Sequence, residues 1–258
     1  MFYLAADFEK LCDLKALIKQ LLKALPIAFT KNQQYDRLTK RVIRRVCKSD
    51  SNCIDVGCHK GEILDLFLAA APQGQHVGFE PIPNLFENLR KKYAAHSNCQ
   101  FYDVALSNQK GSSSFNYVVS NPSYSGLMKR RYDRANEQDT LITVQTERLD
   151  DLLPMDARVD LIKIDVEGGE RLVMEGAVEI LRRWKPVVIF EHGLGASDMY
   201  GSTPELLYDL LNGCGLQVSL LDRFLNNQPP LSREAFSQNY YERLNYYFIA
   251  YNPTVFSK

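Results

Sequence analysis

The sequence carries no surplus of charge of either sign. Its 258 residues hold 31 Lys plus Arg against 31 Asp plus Glu. That balance argues against general nucleic-acid binding, which draws on a basic excess. No apolar run approaches the roughly 20 residues of a membrane span. The N-terminus, MFYLAADFEKLCDLKALIKQLLKALPIAF, mixes Asp, Glu and Lys into its apolar residues, without the basic-then-apolar order of a secretory signal. Cysteine is sparse: Cys12, Cys47, Cys53, Cys58, Cys99 and Cys214 form no CxxC pair and no Cys/His spacing suited to zinc. Scattered thiols fit a reducing cytoplasm better than a disulfide framework. Internal repeats and low-complexity segments are lacking too. The composition, 45% hydrophobic and 24% charged, predicts an ordinary soluble globular protein.

What is present begins with helical periodicity. Leu11, Leu14, Leu17, Ile18, Leu21, Leu22 and Leu25 recur at helical spacing over residues 8–25, and Pro26 stops them. That apolar stripe needs a partner surface, either the rest of the chain or its copy in a homodimer. A second helix is expected over 35–48, with Arg37, Arg41, Arg44 and Lys48 along one face. A solvated face is the plainer reading of such a stripe, and contact with an acidic partner the alternative. Residues 1–50 are thus expected to be a helical extension.

From residue 52 strands and helices alternate. Strands are expected over 53–56, 76–80, 99–106, 114–119, 141–146, 159–165, 186–191, 216–221 and 246–251. Helices are expected over 61–71, 83–95, 169–184 and 205–212. Near-continuous apolar strands between helices predict an α/β fold, with a mainly parallel sheet covered on both faces. Ligands in such sheets bind at the carboxyl ends of the strands, near the point where strand order reverses.

The strand ends carry the candidate chemistry. After the first strand, IDVGCHKGE places Asp55, Gly57 and Gly61 in a nucleotide-type loop, although His59 stands where GxGxxG would have glycine. After the second comes Glu80, 25 residues beyond Asp55, where an acid can accept both hydroxyls of a ribose. Asp103 follows the third and can accept from an adenine amino group, or simply form a turn. Pro81 and Val104 adjoin these acids and complete the expected cofactor-binding set. LIKIDVEGGE and VVIFEHG then place Asp165, Glu167, Glu191 and His192 at two further strand ends. A carboxylate and an imidazole together can take a proton from a hydroxyl or hold a divalent metal, and the sequence leaves the metal open. Taken singly, Asp165 and Glu167 also suit helix caps, and His192 a loop.

Together, IDVGCHKGE, FEPIPNLFENL, VALSNQKG, TERLDDLL and DLIKIDVEGGERLVMEGA…KPVVIFE resemble, in order, the motifs of the FkbM-type methyltransferases. The resemblance covers roughly residues 50–195, and more loosely NYYFIAY near the end. It implies a class I, Rossmann-like methyltransferase domain over residues 51–258, with seven core strands of which the last is antiparallel. It implies S-adenosylmethionine as donor and an oxygen acceptor on a sugar, glycan or natural product. Asp55, Gly57 and Gly61 would lie beside the methionine part, Glu80 at the ribose and Asp103 near the adenine. Asp165 and Glu167 would lie by the transferring methyl. The family usually has Asn where this chain has His59.

Substrate choice is expected in an insertion over residues 107–158, since loops on a rigid scaffold carry specificity. There NPSYSGLMKRRYDR supplies Tyr124, Ser125, Lys129, Arg130, Arg131 and Arg134, a cluster able to hold an acidic acceptor or to be a solvated loop. Two rival functions share the fold. A nicotinamide-dependent oxidoreductase or epimerase is disfavoured by the absence of GxGxxG and of a Tyr-x-x-x-Lys near a strand end. A non-catalytic cofactor-binding module is disfavoured by the intact Asp55, Glu80 and Asp165.

Overall fold

The computed structural model describes residues 30–132, 136–154 and 156–256. The expected helix over 8–25, its pairing in a dimer, and Arg134 lie outside the described residues. Backbone packing divides the chain between Leu38 and Thr39. A helix runs over Lys31–Val46, and Arg37, Arg41, Arg44 and Lys48 lie exposed to solvent.

The strands in chain order are β1 (Cys53–Val56), β2 (His76–Phe79), β3 (Cys99–Tyr102), β4 (Val104–Leu106) and β5 (Gly111–Val118). β6 (Asp139–Glu147), β7 (Leu161–Ile164), β8 (Val187–Glu191), β9 (Gln217–Ser219) and β10 (Tyr247–Tyr251) follow. Seven form one sheet in the order β3-β2-β1-β7-β8-β10-β9. All its pairings are parallel except those of β10, which runs antiparallel to β8 and β9. The strand order reverses between β1 and β7, so the loops after these two strands flank the expected binding crevice.

Burial explains the apolar strands. Every residue of β1 and β7 is buried, because helices cover both faces. Ile54, Val56, Ile162, Ile164, Val188 and Phe190 are among the strand residues of the main core, against Val173, Met174, Leu207 and Leu211 from helices. Each such side chain contributes about 1.5–3 kcal/mol on burial.

Four expectations are corrected. The single strand over 99–106 is two strands in different sheets. Phe79 and Tyr102 are the last pair of β2 and β3, and after Asp103 the chain turns to pair Val104–Leu106 with β6. The apolar pattern runs through that break, so periodicity alone does not mark it. The insertion is more regular than the expected loops around a strand. β5 and β6 form a long hairpin and, with β4, a second sheet in the order β4-β6-β5. Its inner face packs Phe115, Val144 and Ala105 on Ile82 and Leu85.

The helix over 169–184 is broken into Glu170–Glu175 and Val178–Trp184. A Cβ on Gly176 would lie 2.0 Å from the Ser107 carbonyl oxygen, so only glycine allows the chains to cross there. The second piece is capped from a distance. The Asp150 carboxylate accepts the backbone N–H groups of Glu179 and Ile180, each at 3.1 Å. Helices at Leu221–Leu225 and Arg233–Tyr241, which the sequence pattern did not announce, shorten the expected 216–221 strand and cover the β9–β10 end. No helix among the described residues is long and apolar enough to cross a membrane.

Candidate active site

The turn after β1 is built around left-handed backbone. Gly57 has φ +84°, His59 +50° and Gly61 +79°. A Cβ on Gly57 would sit 2.0 Å from the Asp165 carbonyl oxygen, while the Asp165 N–H donates to Val56 O at 3.0 Å. The β1 loop and the end of β7 are therefore in direct backbone contact. His59 fills its slot for a conformational reason: His, like the Asn usual there, is among the few non-glycine residues enriched at positive φ. At Gly61, the Tyr93 hydroxyl lies 2.7 Å from the backbone carbonyl and would be 2.4 Å from an added Cβ.

Two acids close this side. Glu80 is 4% exposed, and its carboxylate accepts the His59 N–H at 2.8 Å and the Ile82 N–H at 2.9 Å. It clamps the β1 loop to the end of β2, a task the sequence did not reveal. Asp55 is buried, and its Oδ2 has no hydrogen-bond partner among the described residues. Burial pushes Asp55 up to about 7 against the pull of Lys163, and pushes Glu80 up to about 7 against its two N–H donors. Pro81 and Val104 are half-buried, and Asp103 lies exposed at the break between β3 and β4. The His59 imidazole keeps a buried Nε2 without a partner among the described residues.

The other side of the crevice gathers β7, β8 and β10. One step past the paired Ile164 and Phe190, Asp165 and Glu191 stand side by side, and Tyr247 is paired with Glu191 across β10. Lys163, 2% exposed, reaches Asp165 Oδ2 at 2.9 Å with its Nζ, and that Nζ sits 4.7 Å from the Tyr247 ring centre. The Tyr247 hydroxyl donates to the same Oδ2 at 2.7 Å. Burial alone would raise Asp165, but Lys163, Tyr247 and Arg130 outweigh it and hold the carboxyl below its ordinary range. Glu191 is pushed up to about 8 by burial and by the neighbouring Asp165 and Glu170.

The turn after β7 is strained and braced. Glu167 lies at φ +57° and Gly168 at +109°. Arg130 donates to the Glu167 carboxylate and stacks 4.9 Å over the Tyr124 ring. Beneath them the buried Glu170 accepts the N–H groups of Val166 and Gly168, each at 3.1 Å, and burial pushes it up to about 7.

Several expected site residues are placed elsewhere. His192 is not at the rim: it is 1% exposed, its ring stacks on Tyr240 at 4.8 Å and Phe236 at 6.0 Å, and burial pushes it down to about 3. A neutral imidazole packed between aromatic rings is core, so the acid–base role expected for it is withdrawn. Ser125 is buried and accepts the Val118 N–H at 2.9 Å, which makes it a hairpin brace rather than a substrate contact. Nor is the basic run a free anion site. Lys129 pairs with Asp139 at 2.6 Å, Arg130 with Glu167, and Arg131 with Asp198 at 3.9 Å. Of this run Arg130 reaches the crevice. With Glu191, Tyr240, Arg243, Asn245 and Tyr246 it lines a cleft of about 240 Å³. Among the described residues no three His, Cys, Asp or Glu are grouped to hold a metal ion.

Sequence reasoning missed Lys163, Glu170 and Tyr247. Lys163 did carry a signal, a charge inside the apolar LIKI strand. Tyr247 carried none, because its partner lies 82 residues away.

The profile of the methyltransferase FkbM domain matches residues 55–218, more than half of the chain. The chain is 25% identical over 178 residues to the 2-O-methyltransferase NoeI of Sinorhizobium fredii, a match that covers 64% of this chain and 73% of that one. It is 26% identical over 147 residues to methyltransferase 1 of Beauveria bassiana, covering 49% of this chain and 58%, under two thirds, of that relative. A crystal structure of methyltransferase FkbM from Methylobacillus flagellatus superposes with a TM-score of 0.48 at 15% identity, over 79% of this chain and 44% of that one.

Proposed function

Since the chain belongs to the FkbM methyltransferase family, we propose that it moves a methyl group from S-adenosylmethionine to a hydroxyl of a sugar, glycan or natural-product acceptor. The observation that carries this reading is the row of carboxylates at the strand ends. Asp55, next to last in β1, and Glu80, Asp165 and Glu191, which follow or end three more strands, lie on both sides of the switch point, and three of the four are pushed up to about 7 or 8. So many acids around one internal ammonium suit a cationic ligand. When bound, the donor supplies a methyl group on a positively charged sulfur.

The residues present fit that donor. Gly57 leaves room for close backbone approach, and Asp55 Oδ2 and His59 Nε2 are buried polar atoms without a partner among the described residues. Glu80 keeps lone pairs for hydroxyls beyond the two N–H groups it accepts. Asp103 stands at the end of the next strand. On the acceptor side Glu191 is the base, because it lines the cleft and its acidity near 8 suits proton removal around neutral pH. Tyr246 and Asn245 bring a ring and an amide to the cleft for a hydroxylated acceptor. The name of the Sinorhizobium relative, a 2-O-methyltransferase, supports oxygen as the acceptor atom.

The test is incubation with methyl-labelled S-adenosylmethionine and fractionated cell extract, followed by identification of the labelled product and single-turnover measurement on it. Glu191→Gln is expected to slow transfer by about 100-fold or more with donor affinity little changed. Near-wild-type turnover in Glu191→Gln places the base elsewhere. Loss of all activity with a chelator, restored by magnesium, replaces a metal-free transfer with a metal-assisted one.

A further inference from the structure

Lys163 is a full charge inside a core strand, and the reading above gives it no part. Isolated buried ammonium groups are costly and persist where they are paired. Its neighbours are specific. Nζ lies 2.9 Å from Asp165 Oδ2 and over the face of Tyr247, and Lys163 pairs in register with Asp55 on β1 and Ile189 on β8. Tyr247, arriving from β10, donates to that same Asp165 oxygen at 2.7 Å. Two donors on one oxygen fix the plane of the carboxylate. Asp165 Oδ1 receives no hydrogen bond from any described residue, and the side chain keeps 33% of its surface exposed.

We propose that Lys163 and Tyr247 are positioning residues that grip Asp165 by one oxygen, keep it charged, and leave the other oxygen to face the reactants. This rests on the methyl-donor reading only for what the free oxygen meets; the grip itself is a property of the protein alone. The groups that act on Asp165 are Lys163 on its own strand, Asp55 on β1, His59 in the loop after β1, Glu191 on β8, Tyr247 on β10, Glu170 on the helix after β7, and Arg130 from the hairpin. Asp55, Glu170 and Glu191 oppose ionisation of Asp165, while Lys163, Tyr247 and Arg130 favour it. Lys163 is the nearest full positive charge, so its removal leaves a cluster of acids that cannot all stay ionised.

The first experiment needs no substrate. Side-chain carboxyl resonances of the ligand-free protein are titrated by carbon NMR, with Asp165 assigned through Asp165→Asn. Asp165 is expected to titrate below an ordinary aspartate in the wild type, and about one unit or more higher in Lys163→Met. Lys163→Arg should restore most of the low value, which a role in filling space does not explain. Tyr247→Phe keeps the ring and should shift Asp165 in the same direction by less, and this variant decides the matter if Lys163→Met does not fold. An Asp165 titration that stays put in Tyr247→Phe, and in Lys163→Met where that variant folds, overturns the proposal. A second readout, calorimetric titration with S-adenosylmethionine over the same pH range, separates the two ideas. The positioning role predicts that the acid limit of binding moves up with Asp165 in the variants. A wild type that shows the NMR shifts but binds no donor at any pH sinks the methyl-donor reading and leaves the grip on Asp165 standing.

Discussion

On the β1–β2 side of the crevice, Glu80 is held by backbone N–H groups from residues 21 and 2 positions away. On the β7–β10 side, Glu167 is held by a side chain 37 residues away and Asp165 by one 82 residues away. The first half is made of turns and backbone, and among the described residues the hydrogen bonds to the Glu80 carboxylate come from backbone N–H groups. The second is a side-chain network of Lys163, Tyr247 and Arg130 that joins two strands and a hairpin. Backbone amides do not titrate and move little, so the first arrangement suits a ligand that is always the same. Side chains from distant elements can be exchanged one at a time, and the second arrangement suits the acceptor side of the proposed reaction.

The largest effect should come where the halves touch. Gly57→Ala must place a methyl group against the Asp165 carbonyl at positive φ. It is expected to cost about 2–4 kcal/mol in urea unfolding and to damage donor binding as well. A variant of wild-type stability means that the two loops are not in contact. Next comes Glu80→Gln, which exchanges one of two accepting oxygens for an NH₂ group facing an N–H donor. About 1–3 kcal/mol of stability should be lost, with weaker donor affinity. Arg130→Ala is the matching change on the other half. It should slow turnover while donor affinity stays near wild type; a loss confined to donor affinity would erase the contrast between the halves.

The pH dependence of the ligand-free protein comes next. Asp55, Glu80 and Glu170 near 7 and Glu191 near 8 all titrate above unfolded carboxylates. The folded state therefore holds more protons than the unfolded state from about pH 4.5 to 8, and stability falls as pH rises through that window. His192 works the other way. Its folded value near 3 lies below that of an unfolded imidazole, so its contribution is complete above about pH 6.5 and lost as pH falls toward 3. The melting temperature should peak on the acid side of neutrality and decline toward pH 8.5, with bound cationic donor flattening the decline. A melting temperature that rises steadily to pH 8.5 contradicts the acid assignments. The smallest effect is expected for His192→Phe, which swaps one buried ring for another. Turnover should be unchanged and stability altered by about 1 kcal/mol or less. A large loss of turnover would return His192 to the site.

What the sequence made legible follows the same division. Asp55, Gly57, Glu80 and Asp165 could be found because each sits at a strand end that apolar runs and glycines announce locally. The break at Asp103 and the split at Gly176 escaped because their causes are tertiary: pairing with β6 and the crossing of Ser107. His192 was misplaced because, next to Glu191, it shared the strand-end position without the facing. The register of β8 and β10 sends the Glu191 side chain toward the cleft and the His192 ring into the aromatic core. Lys129 and Arg131 read as an anion site because their neutralising partners, Asp139 and Asp198, are invisible until the chain is folded.

The central claim is that the carboxylates of the crevice await a cationic methyl donor. It is tested most directly by calorimetric titration with S-adenosylmethionine and with its demethylated product, S-adenosylhomocysteine, on both sides of pH 7, where Asp55 and Glu80 titrate. The expected result is tighter binding of the sulfonium compound, with an advantage over the neutral thioether that widens as pH rises through 7. Equal affinities at every pH, or no binding of either compound, would contradict it.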